Sequence, residues 1–583
     1  MEVIKRDKRK EPFNVEKIIS AVRKAYEASD VKLSKKVEYE LRNLFTIGDL
    51  IDIEEIQDKV EEVLMKDNPI IAKSFIIYRY KHQEARIIEE RIKYMNSYVN
   101  SSSNAASASE TDSNANVTIK NVANLEGEVY KTTNRIIQRR RMKSKLKEMF
   151  PEHPTIAFDY EQDLNNHIIY THDEASSPVL KNYCQAVSLY PLMTEGVGNI
   201  DGVTPTPPNN LDSFCGQVVN LAFLLSAQCK GAVAFGGLFI AFNYYCIKEW
   251  GNNYYLKEDV IITSADCNKQ RTIKDRIEQA FQAIVYGWNQ PAGNRSYQSP
   301  FTNVSYYDSN YFSALFGDFY YPDGTQPKWE AISYLQKLFM KWFNKERTKA
   351  ILTFPVETMA LLSDGTNIID KDYKSFTAEM YSEGHSFFTY ISTNPNGLAS
   401  CCRLMNEIDE NVFSFTNGLS GIQTGSCNVI TLNLNRIVQD WYRGETGINP
   451  SFTKEDAKAN LGHLKSYLIG ILERVYMYHI AYKTMLYELE GKGMFTSCNA
   501  GYIHMNKLFS TIGLNGINEA ALFLDIPITY NDEYKKLVQL ITGTISECNK
   551  AHSTKKFKFN QEFVPRLCGH VKSLVIDSKL LCA

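Results

Sequence analysis

The chain has 583 residues, more than one hydrophobic core usually serves, so a large catalytic body with at least one appended module is expected. With 65 basic against 67 acidic residues the formal net charge is -2, which excludes a global electrostatic footprint for nucleic acid. No apolar run has the length of a membrane span, the start "MEVIKRDKRKEPF" is charged where a signal peptide turns apolar, and 12 scattered cysteines read as thiols of a cytoplasmic protein.

In chain order, a short strand at Val3 and Ile4 meets the basic turn "KRDKRKEPF". Then "NVEKIISAVRKAYE" places Val15, Ile18, Ile19, Val22 and Tyr26 at helical spacing. A second helix is expected from "DIEE", with Asp52 as cap, Glu55 three residues on, and Ile53, Ile56, Val60 and Val63 on its apolar face. A third opens at "NPII", where Asn68 caps and Pro69 takes the first helical position. From Asn100 to Asn116 the composition turns to "NSSSNAASASETDSNAN", which lacks large apolar side chains and predicts a polar linker.

Beyond the linker, short apolar runs ("GAVAFGGLFIAF", "AILTFPVETMALL", "SFFTYIS", "CNVITLNL") alternate with helical stretches ("IKDRIEQAFQAIVYG", "LGHLKSYLIGILERVYMYHIAYKTMLYELEG"). The alternation predicts one large α/β body, sheet or barrel.

Several stretches carry chemistry. Read as a strand, "CNVITLNLNR" puts Cys427, Val429, Thr431 and Asn433 on one unusually polar face, suited to a lumen holding a polar ligand. A lone buried cysteine ordinarily acts as a small hydrophobe, and Cys215 in "NNLDSFCGQVVNL" shares that reading. The tandem Cys401 and Cys402 in "NPNGLASCCRLMNE" differ, because adjacent cysteines on a turn-rich stretch are poor core material. "PAGNRSYQSPFTNVSYYD" and "NIDGVTPTPPNN" offer backbone N–H groups and hydroxyls to a phosphate, yet neither matches a P-loop or a G-x-G-x-x-G fingerprint. The run "QRRRMKSKLK" reads as a solvated helix face.

The stretch "VIKRDKRKEPFNVEKI", with "IDIEEIQDKVEEVL" and "AKSFIIYRYKHQEAR", resembles the ATP-cone of ribonucleotide reductases. From "NVANLEGEVYKTTNRIIQRRRMKSKL" through "DLNNHIIYTHDEASSPVLKNYC", "GNIDGVTPTPPNNLDSFCGQ", "NQPAGNRSYQSPFTNVSYYD" and "LASCCRLMNE" to "TGSCNVITLNLNRIVQDW", the chain resembles an anaerobic (class III) ribonucleoside-triphosphate reductase. The resemblance implies an ATP-cone over residues 1–95, a linker over 96–122 and a ten-stranded α/β barrel over 123–565. It implies Cys402, with Cys401 one residue away, as the finger-loop sulfur that becomes a thiyl radical and abstracts the ribose 3′ hydrogen. Cys215 matches the cysteine of the first barrel strand. Cys427 stands where other reductases keep the second cysteine of a redox pair, so a Cys215–Cys427 disulfide, later reduced by a thioredoxin- or glutaredoxin-like partner, is expected, with formate as the alternative reductant. Lys5, Arg6, Lys17 and His82 are the expected nucleotide contacts of the cone, for ATP or dATP, with other deoxynucleotides as further effectors. A radical SAM activase carrying an iron-sulfur cluster and a homodimer or higher oligomer complete the implied partners. Neither a membrane nor nucleic acid is among them.

Two departures stand out. Lys8 follows "KRD" where the family has glycine, which makes a positive φ there costly. The tail 566–583, "RLCGHVKSLVIDSKLLCA", replaces the family's four-cysteine zinc site and glycyl radical loop, and no Cys-x-x-Cys pair exists in the chain. No metal ligands are therefore assigned, and a frameshift or premature stop, or a split protein completed by a second chain, is the expectation. On this reading the chain alone is inactive. The rivals are a catalytically dead or split nucleotide-binding fragment and another glycyl radical enzyme related to pyruvate formate-lyase.

Overall fold

The structure is a computed structural model that describes residues 2–4, 10–27, 29, 31–45, 50–100, 122–197, 206–263, 270–292, 298–394, 397–399, 405–407, 423–529 and 531–563. The chain divides into two compact units, Met1–Ser102 and Ser103–Ala583.

In the first unit, strand β1 (Glu2–Ile4) pairs antiparallel with β2 (Lys10–Pro12) and parallel with β3 (Leu50–Asp52). Four helices follow the apolar spacing: Val15–Glu27, Lys35–Asn43, Ile53–Asp67 and Pro69–Asn100. Val22, Tyr26, Val37, Leu41, Val60, Leu64, Ile71 and Phe75 form their common core. Asn68 caps the last helix through its Oδ1, which accepts from Ile70 N at 3.0 Å. The helix Lys35–Asn43 is not evident in the sequence. Its nine residues bury only Val37 and Leu41, a single i, i+4 pair, too little periodicity to stand out.

The second unit begins with a helix at Val122–Met149. Its strands are β4 (Ile169–Thr171), β5 (Cys184–Ala186), β6 (Val233–Phe235), β7 (Ile261–Thr263), β8 (Gln270–Thr272), β9 (Thr302–Tyr307), β10 (Val356–Leu362), β11 (Phe388–Ser392), β12 (Gly397–Ala399), β13 (Met405–Glu407), β14 (Thr424–Asn433), β15 (Leu508–Asn515) and β16 (Lys558–Phe563). Nine of them make one curled sheet in the order β11-β10-β9-β6-β5-β14-β15-β16, with β4 also paired to β14. The expected α/β class is the one adopted, with nine sheet strands among the described residues where ten were expected. The strands β5, β6, β9, β10 and β11 are parallel, as are β14, β15 and β16, and the two sets meet antiparallel where β5 pairs with β14. "GAVAFGGLFIAF" is not one strand: β6 ends at Phe235, and the helix Leu238–Trp250 starts past the Gly236–Gly237 break.

Helices pack against the outer side of the sheet. The aromatic stack of Phe235 on Trp288, at 5.1 Å between ring centroids, is one of its anchors. The opposite, concave side carries a separate cluster of smaller side chains: Tyr183, Cys184, Ala186, Ala232, Ala234 and Val429.

Candidate functional site: a thiol on the concave face and two clefts

Cys184 opens β5 at the seam between the two strand sets. Its Cα is paired with that of Ser426 on β14, and antiparallel partners point to one face, so the thiol and the hydroxyl stand side by side. Two close approaches hold the sulfur. A Cβ on Gly231 would lie 2.6 Å from Cys184 Sγ, and one on Gly425, at φ +150°, would lie 2.3 Å from the Cys184 carbonyl oxygen. Ala232 N donates to the sulfur at 3.3 Å. Ser426 Oγ donates to Asn428 O at 3.1 Å and lies 2.9 Å from Thr511 Oγ1. Further along β14, His172 Nε2 lies 2.8 Å from Thr431 Oγ1, with the His172 ring edge-on to Tyr170 and Tyr183. The result is a buried face of one thiol, several hydroxyls and an imidazole, floored by the alanines Ala186, Ala232 and Ala234.

Cys427 is not on that face. A β-bulge sets Cys427 and Asn428 together opposite Ser510, so the alternation expected from the sequence breaks after Ser426. Val429 and Thr431 face the concave side, whereas Cys427 joins the outer core. Its sulfur donates to Phe509 O at 3.2 Å and lies 3.3 Å from Ser510 Oγ.

Cys215 requires a second correction: it lies on a helix, Leu211–Ala227, not on a strand. Asn210 and Ser213 form a capping box there, and Leu211, Phe214, Val218 and Leu221 are buried at helical spacing. Asp212, Glu249, Arg276 and Cys246 surround Cys215, while Tyr482, Lys483 and Tyr487 surround Cys427. The structure does not bring the two sulfurs together, and burial raises the Cys215 pKa, which keeps it a thiol. Sequence reasoning missed Cys184, although the run "NYCQAV" and its position at the end of the "DLNNHIIYTHDEASSPVLKNYC" stretch were available signals.

Cys401, Cys402, Lys5, Arg6 and Lys8 lie outside the described residues, as does the side chain of His82. Lys17 is described. It lines a cleft of about 630 Å³, counted with its open mouth, between Val3, Glu11 and Phe13 on one side and Ile18, Ile56 and Phe75 on the other. Its ammonium is 3.6 Å from the Glu11 carboxylate, and both groups are exposed enough to re-pair with a ligand.

The second unit has a cleft of about 930 Å³, counted the same way, at the C-terminal ends of β14 and β15. Arg135, Arg139, Tyr170, Glu174, Asn433 and Asn515 line it. Arg139 Nε donates to both oxygens of Glu174, at 2.9 and 3.0 Å, and Arg135 Nε lies 3.7 Å from the same carboxylate. Clefts beyond the carboxyl ends of parallel strands are common ligand sites in α/β proteins.

A curled two-set α/β sheet carrying a buried strand cysteine, in a chain that also has a small helical unit with its own cleft, defines the reductase class. The family of anaerobic ribonucleoside-triphosphate reductases matches over residues 123–573 and the ATP cone domain over residues 1–84. Solved structures agree. The anaerobic ribonucleotide reductase from Thermotoga maritima with citrate in the active site is 26% identical, over 78% of this chain and 77% of that chain, at a TM-score of 0.63. The same enzyme in complex with dATP and CTP is 26% identical over 82% and 76%, at 0.62. Another anaerobic ribonucleotide reductase is 27% identical over 81% and 69%, at 0.64. No curated protein matches. The chain belongs to the anaerobic ribonucleoside-triphosphate reductases and carries an ATP cone, so its function class is ribonucleotide reduction under nucleotide control.

Proposed function

We propose that reduction takes place on the concave face at Cys184, with a ribonucleoside triphosphate as substrate and Cys402, or its neighbour Cys401, as the sulfur that takes the ribose 3′ hydrogen. The observation that carries this reading is the buried Cys184 thiol beside Ser426, on a face floored by alanines. Replacing the ribose 2′-hydroxyl by hydrogen consumes two electrons and two protons and releases water. A thiol supplies hydrogen readily because its S–H bond is weak, and a water-poor face protects the radical stage from side reactions. The glycyl radical of the family, whose loop the tail 566–583 does not contain, would have to come from a completing segment or second chain activated by the radical SAM activase, and would supply the oxidising equivalent that starts the reaction.

The reductant follows from what stands next to Cys184. Among the described residues that neighbour is Ser426, and Cys427 is turned to the outer side. This favours formate, oxidised to carbon dioxide, as the two-electron donor over a Cys184–Cys427 disulfide. A dithiol partner of the thioredoxin or glutaredoxin kind remains workable if a finger-loop cysteine serves as the second thiol.

For control, the Lys17 cleft of the first unit would take ATP or dATP, phosphates toward Lys17, with Lys5 and Arg6 as the further contacts that the family resemblance implies. The Arg135 and Arg139 cleft would take a deoxynucleotide effector, its phosphates displacing Glu174 from the arginines and its base beside the exposed Tyr170 ring. The dATP held in the specificity site of the Thermotoga enzyme supports a second nucleotide site of this kind.

The test is CTP reduction, under anoxia and with formate or a dithiol, by the chain completed with a C-terminal segment of the family that carries the glycyl radical loop, together with its activase. Cys184→Ser should lose product while CTP binding stays within about threefold, a change of roughly 0.7 kcal/mol or less. Cys215→Ser should keep turnover. Activity retained in Cys184→Ser, or lost equally in Cys215→Ser, would remove Cys184 from the chemistry.

A further inference from the structure

Glu174 fills the arginine cleft of the second unit from within. Its side chain is 7% exposed, while those of Arg139 and Arg135, which converge on it at the cleft wall, keep 31% and 38%. Besides the two bonds from Arg139 Nε, Arg139 Nη2 lies 2.9 Å from one oxygen of the carboxylate. Two oxygens on a guanidinium fork, with a second guanidinium 3.7 Å away, is also how arginines hold phosphate. The chain's own carboxylate thus stands where an anionic ligand would be gripped. The residues that carry Glu174 lead straight to the concave face. β4 pairs antiparallel with β14, and just past it His172 N donates to Val429 O at 3.1 Å. The His172 ring lies against Thr431 Oγ1, at 2.8 Å, and edge-on to Tyr183, the residue before Cys184, at 6.0 Å between centroids. Thr431 itself lines the cleft. Between His172 and Glu174 stands Asp173 at φ +47°, a left-handed conformation that a residue with a side chain adopts at a cost. One strained residue therefore separates the carboxylate on the arginines from the ring packed beside the thiol strand.

We propose, on the reading of this cleft as a nucleotide site and of Cys184 as the reducing thiol, that Glu174 is a built-in competitor for the effector's phosphates and that its release passes effector binding on to the strand of Cys184. With the cleft empty, Glu174 holds Arg139 and keeps His172 seated on Thr431 and Tyr183. A triphosphate carries more charge than one carboxylate and takes both arginines, so Glu174 leaves them. Asp173 is then free to relax from its left-handed conformation, and the hold of His172 on Thr431 and Tyr183 loosens with it. Two consequences follow from the competition. Effector binding must first break the Arg139–Glu174 pair, which sets the affinity below what the arginines alone would give. A ligand shifts an equilibrium only by the difference in its affinity for the two states, so the coupling disappears once residue 174 no longer holds the arginines.

The experiment measures dTTP binding to the full chain by calorimetry and follows backbone hydrogen exchange over residues 170–186 by mass spectrometry. dTTP is the probe because the cleft of the first unit is assigned to ATP and dATP. Glu174→Gln keeps the shape of the side chain and removes its charge, so it should bind dTTP about tenfold tighter than the native chain, and Glu174→Ala should do the same. Arg139→Gln should weaken binding by about tenfold or more. In the native chain dTTP should raise exchange over 170–186, whereas in Glu174→Gln exchange there should be raised already and change little when dTTP is added. No dTTP binding, or binding indifferent to Arg139→Gln, would overturn the proposal together with the assignment of the cleft. Binding that depends on Arg139 but is no tighter in either Glu174 variant, or that leaves exchange over 170–186 unchanged in the native chain, would overturn the proposal alone.

Discussion

Ser426 and Cys427 are neighbours in sequence, yet one lies beside Cys184 and the other joins the outer core against Phe509 O and Ser510 Oγ. What separates them is one unpaired residue, and every chemical assignment of this segment depends on it. His479, one helical turn before Lys483, adds a measurable consequence. It is completely buried, and burial pushes its pKa down to about 3. Its folded-state value is thus below the unfolded value near 6.5, so the unfolded chain binds the extra proton between those pH values. Stability should then be fully present above about pH 6.5 and fall as pH drops toward 3, by up to about 1.4 kcal/mol per unit from this group. Denaturant unfolding of wild type and His479→Gln from pH 7 to 4 checks the sign. The variant should lose part of the slope, and an unchanged slope would show that His479 does not contribute it.

At the level of elements, legibility followed periodicity. The helices Val15–Glu27 and Ile53–Asp67 repeat apolar residues often enough to be read directly, and the Asn68–Pro69 start was marked by its chemistry. β14 was legible as a strand, but its bulge was not, because an inserted residue leaves no mark in composition and inverts the face of what precedes it. The helix around Cys215 was legible in principle, with Asn210 as cap and apolar residues at helical spacing, and resemblance to a strand cysteine displaced that local reading. Because Asn210 Oδ1 accepts from Ser213 N at 2.8 Å, Asn210→Ala should destabilise the protein by about 1 kcal/mol. Chemical denaturation would register the change as a lower midpoint at constant slope. A neutral effect would mean that the cap contributes nothing at this helix start.

For the whole molecule, the division into a small nucleotide-sensing unit and a large catalytic unit was legible from the polar run 100–116 and the change of pattern beyond it. Which strands become neighbours was not, since the β5–β14 seam joins residues some 240 positions apart in the chain and no local pattern records such a pairing. That seam is what the account depends on: it makes Cys184, and not Cys215, the strand thiol of the reductase unit. The most direct measurement is a crystal structure of the full chain with CTP and dATP. The CTP ribose is expected on the concave face with C2′ in van der Waals contact with Cys184 Sγ, within about 4.5 Å. A ribose lodged beside Cys215, or bound away from the β5–β14 seam, would contradict it.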